Sequence, residues 1–335
     1  VVLVTHRKGE IPAPSGYAPT LAAVGEQSGG EDVYAELGEG DRCLVRIVCE
    51  TDVVQAIIDA THRAMGKDAH WRMTILPVEA VVAPDQMKSV VDPETPRFSF
   101  RGRTAPREEI LQAVAKGAEL DSDFLVLVVL SGIVAAVGLI GDNVAALIGA
   151  MVIAPLLGPN LAFAFGVALG KQDLMRRAML TNIVGLGLAI FFAMILGKLL
   201  GGPFLSAEIT SRTFAGYEAI ALALAAGAAA VFSLTTGLSS ALVGVMVAVA
   251  IMPPAVIVGL MLGSGDMKSA GGAAVLLAIN IVCINLAAQI VFVAKRISPR
   301  TWSEKKASQK ALLTNFSAWV VLLGGLATGI YFTGW

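Results

Sequence analysis

The chain has 335 residues, 56% of them hydrophobic, 15% charged and 6% aromatic, with a net charge of −1. Soluble domains carry about 25% charged residues. The composition therefore excludes an ordinary soluble enzyme, a disordered chain and a nucleic-acid binder, and so small a net charge sets up no field to steer polyanions. Length points to about two domains. The charges say which two: only 11 of the 51 charged residues lie in 124–294.

The polar N-terminal part comes first. Val1–Thr5 reads as a strand and Leu21–Glu26 as a short helix. Arg42–Cys49 reads as a strand, and Thr51 or Asp52 then caps a helix over Val53–Met65 that Gly66 ends. Trp71–Val78 is a second strand, completing a βαβ unit. Residues 1–83 are expected to form a cytoplasmic α/β domain, ferredoxin-like or ACT-like. Such domains often dimerise or bind small regulators, a fold-level analogy only. His62 and His70 flank the helix end without ligand spacing and read as solvated. Cys43, Cys49 and Cys283 have neither zinc-ligand spacing nor the number for a secreted disulfide framework. No metal, cofactor or catalytic residue is expected. No basic region followed by an apolar run marks a cleavable signal peptide.

Residues 84–119 read as a basic linker and an amphipathic helix. Pro93, Pro96 and Pro106 break the linker, and Arg97, Arg101, Arg103 and Arg107 make it basic. From Glu108 onward Ile110, Leu111, Val114 and Ala118 share one helical face. This helix is placed to couple the two domains.

A helix needs about 20 apolar residues to cross the hydrocarbon core. The uncharged runs give seven spans in a membrane domain over 120–335: 124–140, 144–170, 177–199, 218–236, 239–263, 269–294 and 312–334. Lys171, Arg176, Lys295, Arg296, Arg300, Lys305, Lys306 and Lys310 fall in loops on the side of the N-terminus. Lys198, Arg212 and Lys268 fall on the other. The positive-inside rule then puts the N-terminus in the cytoplasm and the C-terminus outside.

Shifted by 95 residues, 146–159 matches 241–254 at six of 14 positions, including Gly149 over Gly244, Met151 over Met246 and Pro159 over Pro254. The repeats cover about 124–199 and 218–294, with 312–334 an extra helix. Three spans per repeat turn the second copy upside down, a 3+3 inverted repeat as in secondary transporters. Both middle spans carry prolines, Pro155 and Pro159 in span 2 and Pro253 and Pro254 in span 5. Proline removes a backbone donor and clashes with the preceding turn, so broken helices 2 and 5 are expected. Freed backbone groups must line protein or a cavity. One kink alone reads as packing; two at matching positions point to a midplane binding site.

No acid or base sits deep in a span, against a buried carboxylate relay. The deep polar residues are amides and hydroxyls. Asn160 follows the span 2 break; Asn182 and Asn280 lie early in spans 3 and 6; Asn285 and Gln289 follow Asn280. Ser131, Ser233, Thr235 and Thr236 are further candidates. Buried amides also serve as glue between helices. The expected substrate site is Pro155, Gly158, Pro159, Asn160, Asn182, Pro253, Pro254 and Asn280.

Gly149-Ala150-Met151-Val152-Ile153-Ala154-Pro155-Leu156-Leu157-Gly158-Pro159 resembles the signature of a bacterial and archaeal membrane family, domain of unknown function 389. The resemblance covers roughly 120–295. The family's Gly-Asp after this span stands here as Gly170-Lys171-Gln172-Asp173. The resemblance implies a prokaryotic plasma membrane and a small α/β domain before the spans, and names no substrate.

Three functions compete. A transporter or channel for a small polar solute or ion, regulated by the cytoplasmic domain, follows from the paired broken helices. A membrane-anchored ligand sensor or oligomeric scaffold needs only the soluble domain to bind. An intramembrane enzyme lacks any supporting Asp pair, His cluster or metal motif. The expected partners are the lipid bilayer, the solute and further copies of the chain as a homo-oligomer, contacting through span 7.

Overall fold

The computed structural model describes residues 6–38, 40–66, 71–78, 106–214, 216–236, 240–295, 297, 299 and 302–333. The chain forms two compact units, Val1–Arg107 and Glu108–Trp335.

The first unit runs β1 (His6–Ala13), a 3₁₀ turn at Ser15–Tyr17, α1 (Ala18–Gln27), β2 (Asp32–Leu37), β3 (Cys43–Glu50), α2 (Val54–Met65) and β4 (Thr74–Val78). The sheet order is β2-β3-β1-β4, all neighbours antiparallel. β3 and β4 are therefore parallel but separated by β1, the split βαβ arrangement of ferredoxin-like domains. Alternation in β3 buries Cys43, Val45, Ile47 and Cys49. Val54, Ile57, Ile58, Thr61 and Met65, at helical spacing on α2, cover them. Gly25 on α1 and Gly30 let Ile47 approach the backbone; a Cβ on either would stand about 3 Å from its side chain. Burial, with the Glu31 charge adding, pushes the Cys49 thiol up to about 11. It stays protonated and unreactive at neutral pH.

The sequence expectation holds for β3, α2 and β4 and needs two corrections. The helix cap is Val53 with no side-chain bond, not Thr51 or Asp52. The strand β2, mostly exposed, was not expected. The expected strand Val1–Thr5 lies outside the described residues, as do His70 and most of the linker, while β1 begins at His6. Arg107, the last residue of this unit, donates its backbone N–H to Gln55 Oε1 at 2.8 Å.

The second unit is helical: α3 (Arg107–Gly117), α4 (Ser122–Ile140), α5 (Val144–Ile153), α6 (Leu157–Leu169), α7 (Gln172–Leu200), the single turn α8 (Ala207–Thr210), α9 (Tyr217–Thr236), α10 (Ser240–Ser264), α11 (Met267–Ala294) and α12 (Trp302–Thr333). Among the described residues five helices are long and apolar enough to cross a membrane, and six if α5 and α6, bent by 50°, are one span. Side chains cap the starts: Asp121 accepts from Phe124, Asn143 from Ala146 and Asp266 from Ser269. Asp142 takes a left-handed conformation in the α4–α5 turn, and its carboxylate accepts the Glu208 N–H at the start of α8. Of α11's most apolar stretch 78% is buried, against none of α12's. α11 is thus the central helix and α12 the peripheral one. α7 and α10 meet at glycines: Gly197 lies against the Leu260 backbone, and Gly259 and Gly263 against α7. Gly197 is therefore committed to packing within the chain.

The two proline pairs behave differently. The interruption expected at Pro155 is present: α5 and α6 are separate helices bent by 50°. Ala154, before Pro155, turns to ψ 118°, out of the helical range that a following proline disfavours. The chain restarts at Leu157, which puts Pro159 in the first turn of α6, where no helical donor is needed. The break expected at Pro253 and Pro254 is absent: α10 runs through both prolines as one helix. Pro254 has no N–H for the Ala250 carbonyl, and the Asn280 amide takes its place at 2.6 Å. Residues 250–260 are buried, so neighbouring helices hold the proline turn.

The substitution Asn280→Ala should leave the Ala250 carbonyl unpaired and cost about 1–2 kcal/mol. In a Pro254→Ala background the restored N–H supplies the missing bond, and the cost should shrink by about 0.5 kcal/mol or more. Denaturant unfolding of the four proteins measures this, and strictly additive losses would remove Asn280 from that role.

Candidate functional site

The interruption between α5 and α6 gathers the polar groups of the helical unit. The α5 C-terminus is closed from α4, where the Ser131 hydroxyl donates to the Ala150 carbonyl at 2.7 Å. The start of α6 has no side-chain cap. Asn160, in that first turn and 2% exposed, donates to the Leu156 carbonyl at 2.8 Å and to Asn182 Oδ1 on α7 at 3.1 Å. Its own Oδ1 accepts from Asn285 Nδ2 on α11 at 3.2 Å. Asn285 also donates to the Ile281 carbonyl at 2.9 Å. Three helices are thus joined by the amide chain Asn182–Asn160–Asn285.

That chain ends unsatisfied. Asn285 Oδ1 has no hydrogen-bond partner, and neither amide atom of Gln289 has one, although Gln289 is 1% exposed. Asn285 and Gln289 are four residues apart and share one face of α11. A buried unpaired amide group costs about 1–3 kcal/mol. Such groups are normally met by ordered water, an ion or a ligand.

The end of α3 closes on the same place. A Cβ built on Gly158 would stand 2.7 Å from the Gly117 Cα, and one on Gly117 equally close to Gly158. The Thr181 hydroxyl donates to the Ala118 carbonyl at 2.8 Å. Ile110 and Val114 are buried on the inner face of α3, as the amphipathic pattern requires.

Of the expected site residues, the structure groups Gly158, Pro159, Asn160 and Asn182, with Pro155 in the break itself. Pro253, Pro254 and Asn280 form a separate packing feature, the repaired helix α10. Thr235 and Thr236 hydroxyls donate to carbonyls of their own helix. Asn285 and Gln289 were visible only as polar residues after Asn280. Their four-residue spacing was the signal that set them apart, since Asn280, five residues before Asn285, points about 140° away on a helix. Among the described residues no group of three or more His, Cys, Asp or Glu could hold a metal ion.

These features define an apolar multi-helix protein with an interrupted helix, preceded by a small α/β domain. Residues 151–286 match the family described as Domain of unknown function (DUF389). The chain is 37% identical over 216 residues to an uncharacterized protein of Methanocaldococcus jannaschii, an overlap of 64% of this chain and 68% of that relative. The chain belongs to the DUF389 family. No solved structure matches it. The matched segment holds Asn160, Asn182 and Asn285, and Gln289 lies just beyond its end.

Because Gly117 and Gly158 touch through their backbones, Gly117→Ala and Gly158→Ala should each lower stability by about 1–3 kcal/mol through overpacking. Gly149→Ala in α5, whose Cβ would meet nothing within 4 Å, should be neutral or stabilising by up to about 1 kcal/mol. Thermal unfolding in detergent separates these outcomes.

Proposed function

We propose that the chain is a membrane transporter or channel for a small polar solute or ion, with its site at the α5–α6 interruption. The observation that carries this reading is the buried amide chain Asn182–Asn160–Asn285, whose last Oδ1 has no partner, with the unpartnered Gln289 one turn further along α11. An interrupted helix supplies unpaired backbone groups at its two ends, and in an apolar helical bundle these are tolerated where they line protein or a polar cavity. Three amides and one helix start offer donors and acceptors without a formal charge, which suits a neutral hydrogen-bonding solute or a small ion and does not suit acid–base chemistry.

In this reading the helical unit has seven spans, with α5 and α6 together forming the second and α12 the seventh. Spans 1–3 and 4–6 are inverted repeats. The amide chain then crosses the repeat boundary, Asn160 and Asn182 from the first copy and Asn285 from the second. The protein sits in a prokaryotic plasma membrane with its N-terminus in the cytoplasm and its C-terminus outside, as the loop charges require. The N-terminal domain regulates the site through α3, whose end rests on Gly158. The bare apolar surface of α12 supports homo-oligomer contacts there.

Flux through the purified protein in liposomes tests the reading, with glycerol, urea and larger polyols followed by light scattering and monovalent ions followed by dye. The protein should accelerate equilibration of at least one of these over empty liposomes, and Asn160→Ala should abolish it. Gln289→Leu should do the same while raising stability by about 1–3 kcal/mol, since it removes an unpaired buried amide. Flux indifferent to both substitutions, or none for any probe, would defeat the proposal.

A further inference from the structure

The first unit has a cleft of its own. β1 is antiparallel to both β3 and β4, so its C-terminal end lies between their N-terminal ends. The residues that lead into those strands converge there. Pro12, Ala13 and Pro14 form an apolar wall, and Asp41, Arg42, Trp71 and Arg72 complete a cavity of about 550 Å³. Small-molecule sites typically run from about 300 to 1,000 Å³.

Its chemistry is specific. Trp71 is half-buried against the domain core and meets the His62 ring edge-on at 5.7 Å, so its indole is held in place. A fixed indole beside an apolar wall takes a flat ring by stacking. Arg42 and Arg72 are exposed, and neither guanidinium has an ion-pair partner among the described residues. Other arginines of this domain are paired: Arg46 bonds Glu36 at 2.7 Å and Arg107 lies 3.7 Å from Asp59. Two free planar forks at one cavity match phosphate oxygens. Asp41 uses one carboxylate oxygen to accept the Ser15 hydroxyl, which leaves the other for a sugar hydroxyl and keeps phosphate on the arginine side.

We propose that this cleft binds a nucleoside phosphate, with the base on Trp71, the phosphates on Arg42 and Arg72, and the ribose facing Asp41. A free inorganic anion leaves the indole and the proline wall unused, and an uncharged nucleoside leaves both arginines unpaired. The site lies wholly in the first unit and does not depend on the reading of the helical unit. It supplies a chemical signal for the domain proposed above as regulatory.

The test uses the full chain in detergent with ATP, adenosine and pyrophosphate as probes. ATP should bind and quench tryptophan fluorescence, with adenosine and pyrophosphate each about tenfold weaker or more. The quench should vanish in Trp71→Phe, which keeps the packing and removes one of four tryptophans. The double variant Arg42→Ala/Arg72→Ala alters exposed side chains only, and it should weaken ATP about tenfold or more while leaving adenosine unchanged. Pyrophosphate binding as tightly as ATP would reduce the cleft to a simple anion site. Absence of ATP binding, or ATP binding equally to the double variant, would overturn the proposal.

Discussion

A proline inside an apolar helix leaves the carbonyl four residues earlier without its donor, and a buried carbonyl left so is costly. Much of the helical unit is arranged around how that debt of hydrogen bonding is met. In α10 a neighbouring helix meets it, with Asn280 reaching across to Ala250. At Pro155 the chain meets it by stopping: α5 ends, Ala154 turns out of the helix, and α6 begins afresh. The first solution yields a continuous helix, and the second yields a helix start buried among other helices.

The difference lies in where the prolines fall relative to the chain's own options. Pro155 follows a residue free to leave the helical range, and four residues later Pro159 occupies a first turn where its missing N–H costs nothing. Pro253 and Pro254 are adjacent and lie deep among buried residues, with Asn280 in reach of the Ala250 carbonyl. Sequence similarity between the two segments therefore does not extend to equal geometry. What the two segments share is a polar side chain brought to a carbonyl near the prolines, Ser131 at Ala150 and Asn280 at Ala250.

Much of the fold could be read directly, because the periodicities are strong. The alternation of Cys43, Val45, Ile47 and Cys49 marks β3, and the charge-free runs mark the long helices. β2 escaped because Asp32–Leu37 is an edge strand with little to bury, and its alternation of Val33, Ala35 and Leu37 is short and weakly apolar. The fate of Pro253 and Pro254 escaped because it depends on a residue 26 positions further on, and no local rule reports that. Asn160 and Asn182 were legible as amides deep in consecutive apolar runs. Their pairing with Asn285, 125 residues from Asn160, is a tertiary fact. Gln289 stands out only once its burial and its lack of partners are known.

The placement of α3 links these parts. Its C-terminal end, carrying the partial negative charge of a helix terminus, rests against the uncapped and partially positive start of α6, an attraction intrinsic to the two backbones. Gly117 and Gly158 bring them to contact distance, which any larger side chain would prevent. On α7, Thr181 holds Ala118 while its neighbour Asn182 holds Asn160. One turn of α7 thus grips both the end of the linker helix and the head of the amide chain. A displacement of α3 cannot leave Asn160 untouched, because the two share the α6 first turn and the same stretch of α7. The covalent route from the α/β domain passes through that helix. In the proposed mechanism a ligand that shifts the domain therefore acts on the solute site through backbone contact and two side-chain hydrogen bonds, with no longer chain of coupled residues required.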